Sequence, residues 1–317
     1  MSYIEIKKVN DIEYISFVKK FSFMGKNFRI KEHIGKNIST VTVQDYLKKN
    51  FNNISRKEFD IRKNVLDKMD LVYNKNLLDY IELTSIEINN LFEMKDIKDV
   101  ILVEFAKEFI YNSNNIEGSK IPAKEVKKII ETGNSRYKNR NEIKEVYNSI
   151  EAMKYLQSGF KFNIASIKRL YYILTNNLTM SGGDHYPRGF KTVENVVNNQ
   201  STIPPDDVEN EIVRLLQFYK DNKKTMYPLQ LAYDFHLRYE NIHPFLDANG
   251  RTGRLIMNKI LMDRGYFPMI IYAKNSRTYY NAIAKGLQRR TKKNYYQLML
   301  EQAKTTYDYY FALMKKY

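Results

Sequence analysis

The chain has no cysteine in its 317 residues. That absence excludes disulfides, thiolate zinc or iron–sulfur sites and a thiol nucleophile. Only four histidines are present, and no HExxH or paired-ligand spacing joins them, which disfavours a zinc hydrolase. There is no Walker A segment and no G-x-G-x-x-G, so the common nucleotide-binding folds are disfavoured too. Glycine (12) and proline (7) are too sparse for an obvious flexible linker. No stretch approaches the roughly 18 uninterrupted apolar residues of a membrane helix. The opening MSYIEIKK lacks the apolar core of a secretory signal, so the expectation is a cytoplasmic protein with no membrane partner.

Positive charge and core-forming residues are plentiful. Lys and Arg number 52 against 36 Asp and Glu, a net charge of +16. Residues Lys274–Tyr317 hold ten basic and two acidic residues, half of that net charge. A basic tail of this kind can track a nucleic-acid backbone, but the whole chain is crowded with Lys, Asn, Ile and Tyr, and composition accounts for it better. The tail shows no clear helix-turn-helix pattern. The 43% hydrophobic content suffices for a sizeable core.

Residues 1–34 read as short strands. Ile12–Val18 and Phe28–Ile34 flank a turn at Met24-Gly25-Lys26-Asn27. Beyond about residue 40 the apolar spacing becomes helical. Ile61, Val65, Met69 and Val72 mark one face; Val100, Val103 and Ile110 mark another, in 95–112. Ile143, Val146, Ile150 and Met153 repeat the spacing, as do Ile167, Leu170, Tyr171 and Leu174. Pro228 suits the first turn of a helix carrying His236, a residue expected to be packed and hydrogen-bonded. A further helix runs from about Asn249 to Arg264, stopped by Gly265, and 275–317 holds one or two more. The stretch from Ser181-Gly182-Gly183-Asp184 to Pro204-Pro205 breaks this rhythm, and such excursions are usually placed for function.

The chemistry concentrates in His243-Pro244-Phe245-Leu246-Asp247-Ala248-Asn249-Gly250-Arg251-Thr252-Gly253-Arg254. Pro244 disfavours helical geometry at His243, so the preceding helix ends there and leaves an imidazole beside a tight loop, suited to general-base work when neutral. Asp247 offers a carboxylate for a hard divalent cation. Asn249 and Gly250 open a helix whose free N–H groups favour an anion, and Gly250 lets a phosphate approach the backbone. Arg251 and Arg254 lie near one another on the first turn, with forks that suit phosphate oxygens. Together these groups describe a site for nucleotide phosphates.

The segment resembles the Fic-domain signature H-x-F-x-D/E-G-N-G-R-x-x-R, matching at His243, Phe245, Asp247, Asn249, Gly250, Arg251 and Arg254 and departing at Ala248. The resemblance extends as a helical pattern over about residues 100–285. It implies a mainly α fold, a Fic-type helical bundle with a β-hairpin flap, after a small N-terminal α+β region. The domains would be 1–95, a strand hairpin then helices; 96–285, the Fic core, with an inhibitory helix at about 98–118, a flap at about 186–203 and the signature loop 243–254; and 286–317, a basic helical segment.

The implied activity is transfer of AMP from ATP to a Tyr, Thr or Ser hydroxyl of a protein target. His243 would take the hydroxyl proton, Asp247 would hold Mg²⁺, Asn249, Gly250 and Arg251 the phosphates and Arg254 the γ-phosphate, with Phe245 anchoring the loop. Ala248 is familiar from Doc relatives, which phosphorylate; those carry lysine where this chain has Gly250 and lack the second arginine, so AMP transfer is favoured. A positive φ at Ala248 would distort the anion nest. Ser113-Asn114-Asn115-Ile116-Glu117-Gly118 matches the inhibitory pattern S/T-x-x-x-E-G/N, which implies that Glu117 pairs with Arg254 and blocks the γ-phosphate position; the same glutamate supports de-AMPylation in some relatives. The flap would dock the target along Lys191, Thr192 and Val193, with Arg188 and Gly189 at its base; Tyr279 and Tyr280 would line the adenine pocket, although aromatic residues on a helix are more often core. The implied partners are ATP and a protein target of unstated identity, the chain itself included, and the resemblance admits a homodimer. The alternatives are a Doc-like phosphotransferase, a nucleic-acid-binding regulator using the basic tail, and a scaffold without turnover, which the retained His243 and Asp247 argue against.

Overall fold

The computed structural model describes every residue except 39, 72, 181, 198–199 and 288–291, and the side chains of Val197 and Gln200 are likewise outside the description. The chain divides into two compact units, Met1–Leu102 with Lys304–Tyr317, and Val103–Ala303.

In the first unit, β1 (Ser2–Val9), β2 (Ile12–Phe23) and β3 (Lys26–Lys36) form an antiparallel sheet in that order. Each connection is two residues long with positive φ at both, Asn10-Asp11 (48° and 60°) and Met24-Gly25 (49° and 74°). That geometry matches strand twist, and Asn, Asp and Gly tolerate it best. The expected hairpin is thus a three-stranded sheet, with Lys26 and Asn27 already in β3. α1 (Val43–Leu66) starts on the Thr42 cap and α2 (Lys75–Met94) on Asn74. Phe17, Ile30, Leu47 and Ile54 form a buried cluster of strand and helix residues. The face expected through Ile61, Val65 and Met69 is displaced: α1 ends at Leu66, and its buried positions include Ile54, Phe59, Arg62 and Leu66. Val72 lies outside the described residues. Arg62 takes a core position because Glu58 pairs with it at 2.5 Å, while Lys19 meets Glu58 at 2.8 Å.

The second unit is helical. The remaining helices of the chain are α3 (Lys98–Ile116), α4 (Ala123–Thr132), α5 (Arg140–Ser158), α6 (Ile164–Leu174), α7 (Val208–Asn222), α8 (Pro228–Ile242), α9 (Asn249–Asp263), α10 (Ser276–Leu287) and α11 (Lys292–Lys316). α8 is buried on nearly every face, from Leu229 through His236 to Tyr239, and α9 nearly so. Both are core helices by burial, although α8 buries Asp234, His236 and Glu240 and α9 buries Arg251 and Arg254 among the apolar residues. α8 packs against α9, α7 and α10, and α9 also meets α5 and α6. The α8–α9 turn is therefore held from several sides, and it carries the His243–Arg254 segment.

Several expected faces hold: Ile167, Leu170, Tyr171 and Leu174 are all buried. Others do not. Val100 and Val103 are 46% and 48% exposed, and the buried side of α3 runs through Ile101, Phe105, Phe109 and Ile116. Among the described residues the 181–205 excursion contains one short antiparallel pair, β4 (Val196–Val197) with β5 (Gln200–Ser201); Ser181 is outside them. Arg289 and Arg290 of the basic tail also fall outside them, while Lys292 pairs with Asp234 at 3.6 Å and Lys304 with Asp308. Among the described residues no helix is long and apolar enough to cross a membrane.

Candidate active site

α8 ends at His243, whose N–H still bonds the Tyr239 carbonyl at 2.9 Å while its own backbone turns left-handed (φ 47°, ψ 61°). The helix stops where Pro244 requires, through a left-handed cap instead of extended geometry. The imidazole is 17% exposed. Burial, with the nearby Lys191 ammonium adding to it, lowers the His243 pKa to about 4, so the ring is neutral at pH 7.

The loop after His243 is fixed by reciprocal bonds. Phe245 N–H donates to Asn249 Oδ1 at 2.9 Å, and Asn249 Nδ2 donates to the Phe245 carbonyl at 2.8 Å. The Phe245 ring is fully buried and stacks on Tyr171 at 4.1 Å. The Asn249 side chain is thus committed to closing the loop. Only its backbone N–H is left for an anion.

Asp247 sits at the rim, 38% exposed. Its Oδ1 accepts from Ala248 N–H at 2.5 Å and its Oδ2 lies 3.4 Å from Arg251 Nη2. Burial, with the Asp247 carboxylate adding to it, raises the Tyr186 pKa. Ala248 has φ 58° and is buried. The unfavourable alternative for this residue is therefore the observed one: an alanine holds a left-handed turn at a cost of about 1–2 kcal/mol.

The two arginines are both buried but partnered differently. Arg251 Nη1 bonds Glu145 Oε1 of α5 at 2.9 Å. Burial raises the Glu145 pKa, and Arg251 opposes that rise. Arg254 Nε bonds Ser113 Oγ at 3.0 Å, and its Nη2 bonds the Ser113 carbonyl at 2.9 Å and Glu117 Oε1 at 2.7 Å. Burial disfavours the Arg254 charge, but Glu117 outweighs it and the guanidinium stays protonated, above its ordinary pKa. The Glu117 carboxylate also lies over Gly250, where any Cβ would collide with it and approach Arg254 Nη1 to 2.8 Å. Glutamate and helix start fit together because Gly250 has no side chain.

Two expected placements change. Tyr279 is fully buried and its hydroxyl lies 2.7 Å from His236 Nε2, so it is core and cannot line an open adenine pocket. Tyr280 instead donates to the Ile116 carbonyl at 3.2 Å and reaches Glu117 Oε2 at 3.4 Å. Lys191 is buried as well: its Nζ donates to Asn195 Oδ1 (2.7 Å), Thr202 Oγ1 (2.6 Å) and the Ile242 carbonyl (3.3 Å), and its N–H to the Pro244 carbonyl (2.9 Å). Burial lowers its pKa to about 8. It ties the excursion to the signature loop, and its side chain is not offered to a target. Thr192 and Val193 are exposed, as is Val196 in β4. Arg188 lies over the Tyr172 ring, and Gly189 has φ 111°.

Glu145, Tyr186 and Glu240 were not singled out in the sequence. Glu240 was findable, because three residues before His243 is one helical turn. Glu145 was not, being far along the chain from Arg251 on another helix.

Residues 161–261 match the family model described as Fic/DOC family. This segment is similar to the Fic/DOC family. The matched segment includes α6 to most of α9, with the whole His243–Arg254 turn, while Ser113 and Glu117 precede it. The chain is 29% identical over 184 residues to the protein adenylyltransferase Fic of Drosophila melanogaster, covering 55% of this chain and 36% of that protein. The relative from Drosophila yakuba matches to the same extent. The chain thus spans about a third of the length of these curated relatives. Its fold is similar to that of a Fic family protein from Desulfovibrio desulfuricans G20 (TM-score 0.64, 22% identity, 75% of this chain and 74% of that one). It is also similar to Fic-1 (residues 134–508) from C. elegans (TM-score 0.63, 19% identity, 81% and 76%).

Among the described residues no three His, Cys, Asp or Glu side chains gather as a closed metal site. Magnesium does not need one, because substrate phosphates and water fill most of its shell and one carboxylate suffices. The half-exposed Asp247 beside an amide-rich helix start fits that requirement.

Proposed function

We propose that the chain is a protein adenylyltransferase that moves AMP from ATP to a protein hydroxyl and is restrained by its own Glu117. One observation carries this reading: a neutral imidazole, a rim carboxylate and a helix start meet at one turn, and Glu117, just past the end of α3, already fills the anion position there. Helix starts favour negative charge, so a carboxylate bonded to Arg254 over Gly250 stands in for a phosphate.

In the reaction, His243 takes the proton of a target Tyr, Thr or Ser hydroxyl. The hydroxyl oxygen bonds to the α-phosphorus, the bond from that phosphorus to the bridging oxygen breaks, and pyrophosphate leaves. The α9 N–H groups and Arg251 hold the phosphates, and Arg254 takes the γ-phosphate once Glu117 withdraws. Asp247 would hold magnesium, which would neutralise charge on the phosphates. Positioning and fixed electrostatics account for most of the rate gain. The exposed Thr192, Val193 and Val196 are the surface offered to the target by the excursion. The adenylyltransferase relatives and the match to their signature support the reading.

The test is incubation with labelled ATP and Mg²⁺, followed by intact mass, comparing wild type, His243→Ala and Glu117→Gly. Gain of AMP by the chain or an added protein substrate in the glutamate variant, and not in the histidine variant, is expected. A gain of phosphate instead would assign the Doc-like phosphotransfer. No transfer from any form would remove the reading.

A further inference from the structure

Behind the His243 ring lies a carboxyl group that the proposed reaction does not use. Glu240, one turn back on α8, is buried, with Oε2 3.9 Å from His243 Nδ1 and Oε1 3.7 Å from His236 Nδ1. Glu240 Oε1, His236 Nδ1 and His243 Nδ1 are all buried without a hydrogen-bond partner among the described residues. Buried polar atoms are rarely left so, and three of them facing one another call for an explanation. Gly253 of α9 makes room for the group: a Cβ there would come within 2.8 Å of Glu240 Oε1 and 3.0 Å of His236 Nδ1.

The tautomer of His236 sets the donors and acceptors around Glu240. His236 Nε2 lies 2.7 Å from the Tyr279 hydroxyl. With Nε2–H donating there, neutral His236 offers Nδ1 as an acceptor. A carboxylic acid between two imidazoles then has one consistent arrangement. Its O–H donates to His236 Nδ1, and its other oxygen accepts Nδ1–H from His243. His243 Nε2 keeps its lone pair for the reaction. The separations exceed a direct hydrogen bond by about 0.8–1 Å, a distance that small side-chain rotations close.

We propose that Glu240, in its protonated form, is a positioning residue that fixes the tautomer of His243 with Nδ1–H inward and Nε2 free. The proposal rests on the reading of His243 as the general base. The chain's electrostatics agree with it. Burial pushes the Glu240 pKa up to about 8; Arg254 opposes the rise, and Glu117 adds to it. Burial lowers the His236 pKa to about 3, with the Arg254 charge adding to it, so this ring is neutral.

Glutamine reproduces a protonated glutamate in shape, with one donor and one acceptor, whereas leucine fills the space with neither. The test is nitrogen-15 NMR of histidine-labelled full chain at pH 7 for wild type, Glu240→Gln and Glu240→Leu. In parallel, turnover and KM for ATP are measured with each change placed in the Glu117→Gly form. Wild type and Glu240→Gln are expected to show His243 as the Nδ1–H tautomer. Glu240→Leu is expected to shift it toward Nε2–H and to lower kcat about tenfold relative to Glu240→Gln, with KM for ATP within about twofold. A folded Glu240→Leu that keeps the Nδ1–H tautomer overturns the proposal. So does a Glu240→Gln that loses it, since that would require the ionised acid. The NMR readout needs no turnover, so absence of AMP transfer would sink the adenylyltransferase reading and leave the tautomer assignment standing or falling by itself.

Discussion

Replacing Glu117 by glycine removes one carboxylate from the start of α9, and the structure sets the size of two opposing effects. Arg254 loses a 2.7 Å charge-assisted bond but keeps both bonds to Ser113. Such a bond contributes about 1.5–3 kcal/mol. Glu117 is 24% exposed and Arg254 1%, so the larger penalty falls on the buried cation left behind. Without nucleotide, Glu117→Gly is therefore expected to lose about 1–3 kcal/mol, a fall in Tm of about 2–10 °C for a unit of this size. The same energy no longer opposes a phosphate at Arg254. At 1.4 kcal/mol per tenfold, ATP is expected to bind about ten- to a hundredfold more tightly. Thermal melts with an ATP titration, backed by calorimetry, read both terms at once: the variant starts below wild type and crosses above it as ATP rises. Glu117→Gln, which keeps the shape without the charge, is expected to lie between. A glycine variant with wild-type nucleotide affinity would refute the reasoning, whatever its Tm.

His243→Ala is expected to abolish transfer while leaving ATP affinity within about threefold, because the imidazole acts on the target's proton and not on the phosphates; equilibrium binding beside product mass checks this. The acid limb of kcat/KM should fall near pH 4, the lowered value of His243, and not near the ordinary histidine value. The depressed His236 and His243 values, about 3 and 4, mean that the unfolded chain binds protons first on acidification. Their contribution to stability is therefore complete above about pH 6.5 and is lost as pH falls through about 4 and then 3, which urea midpoints across that range will show. Ala248→Gly removes a left-handed alanine but loosens the unfolded chain, a net gain of about 0.5–1 kcal/mol by denaturant titration.

Much of the active turn could be read from residue types alone, because helix ends obey local rules. Pro244, the helix start at Asn249 and the stop at Gly265 concern neighbours in sequence, and each appears where expected. The three-stranded sheet was half legible: the Met24-Gly25 turn announces itself, whereas Asn10-Asp11 is followed by apolar residues that also suit an uninterrupted strand. What could not be read were choices made between distant segments. Whether Lys191 points to solvent or to the Ile242 carbonyl depends on the α8 terminus, and spacing carries no information about it. Tyr279 and Tyr280 are adjacent, yet one is fully buried against His236 and the other reaches Glu117; only helix rotation against α8 separates them. Ala248 is a third kind of case. Its sign of φ decides its meaning, and the loop, not the residue, sets that sign.

The bare Cα of Gly250 has a consequence for how restraint can be lost. The gap left by its missing methyl receives the Glu117 carboxylate, and on the proposed reading a triphosphate would need the same gap. A mutation that plugs it evicts the inhibitor and bars the fuel together. Escape variants under selection should therefore accumulate around residues 113–117 and spare the first turn of α9.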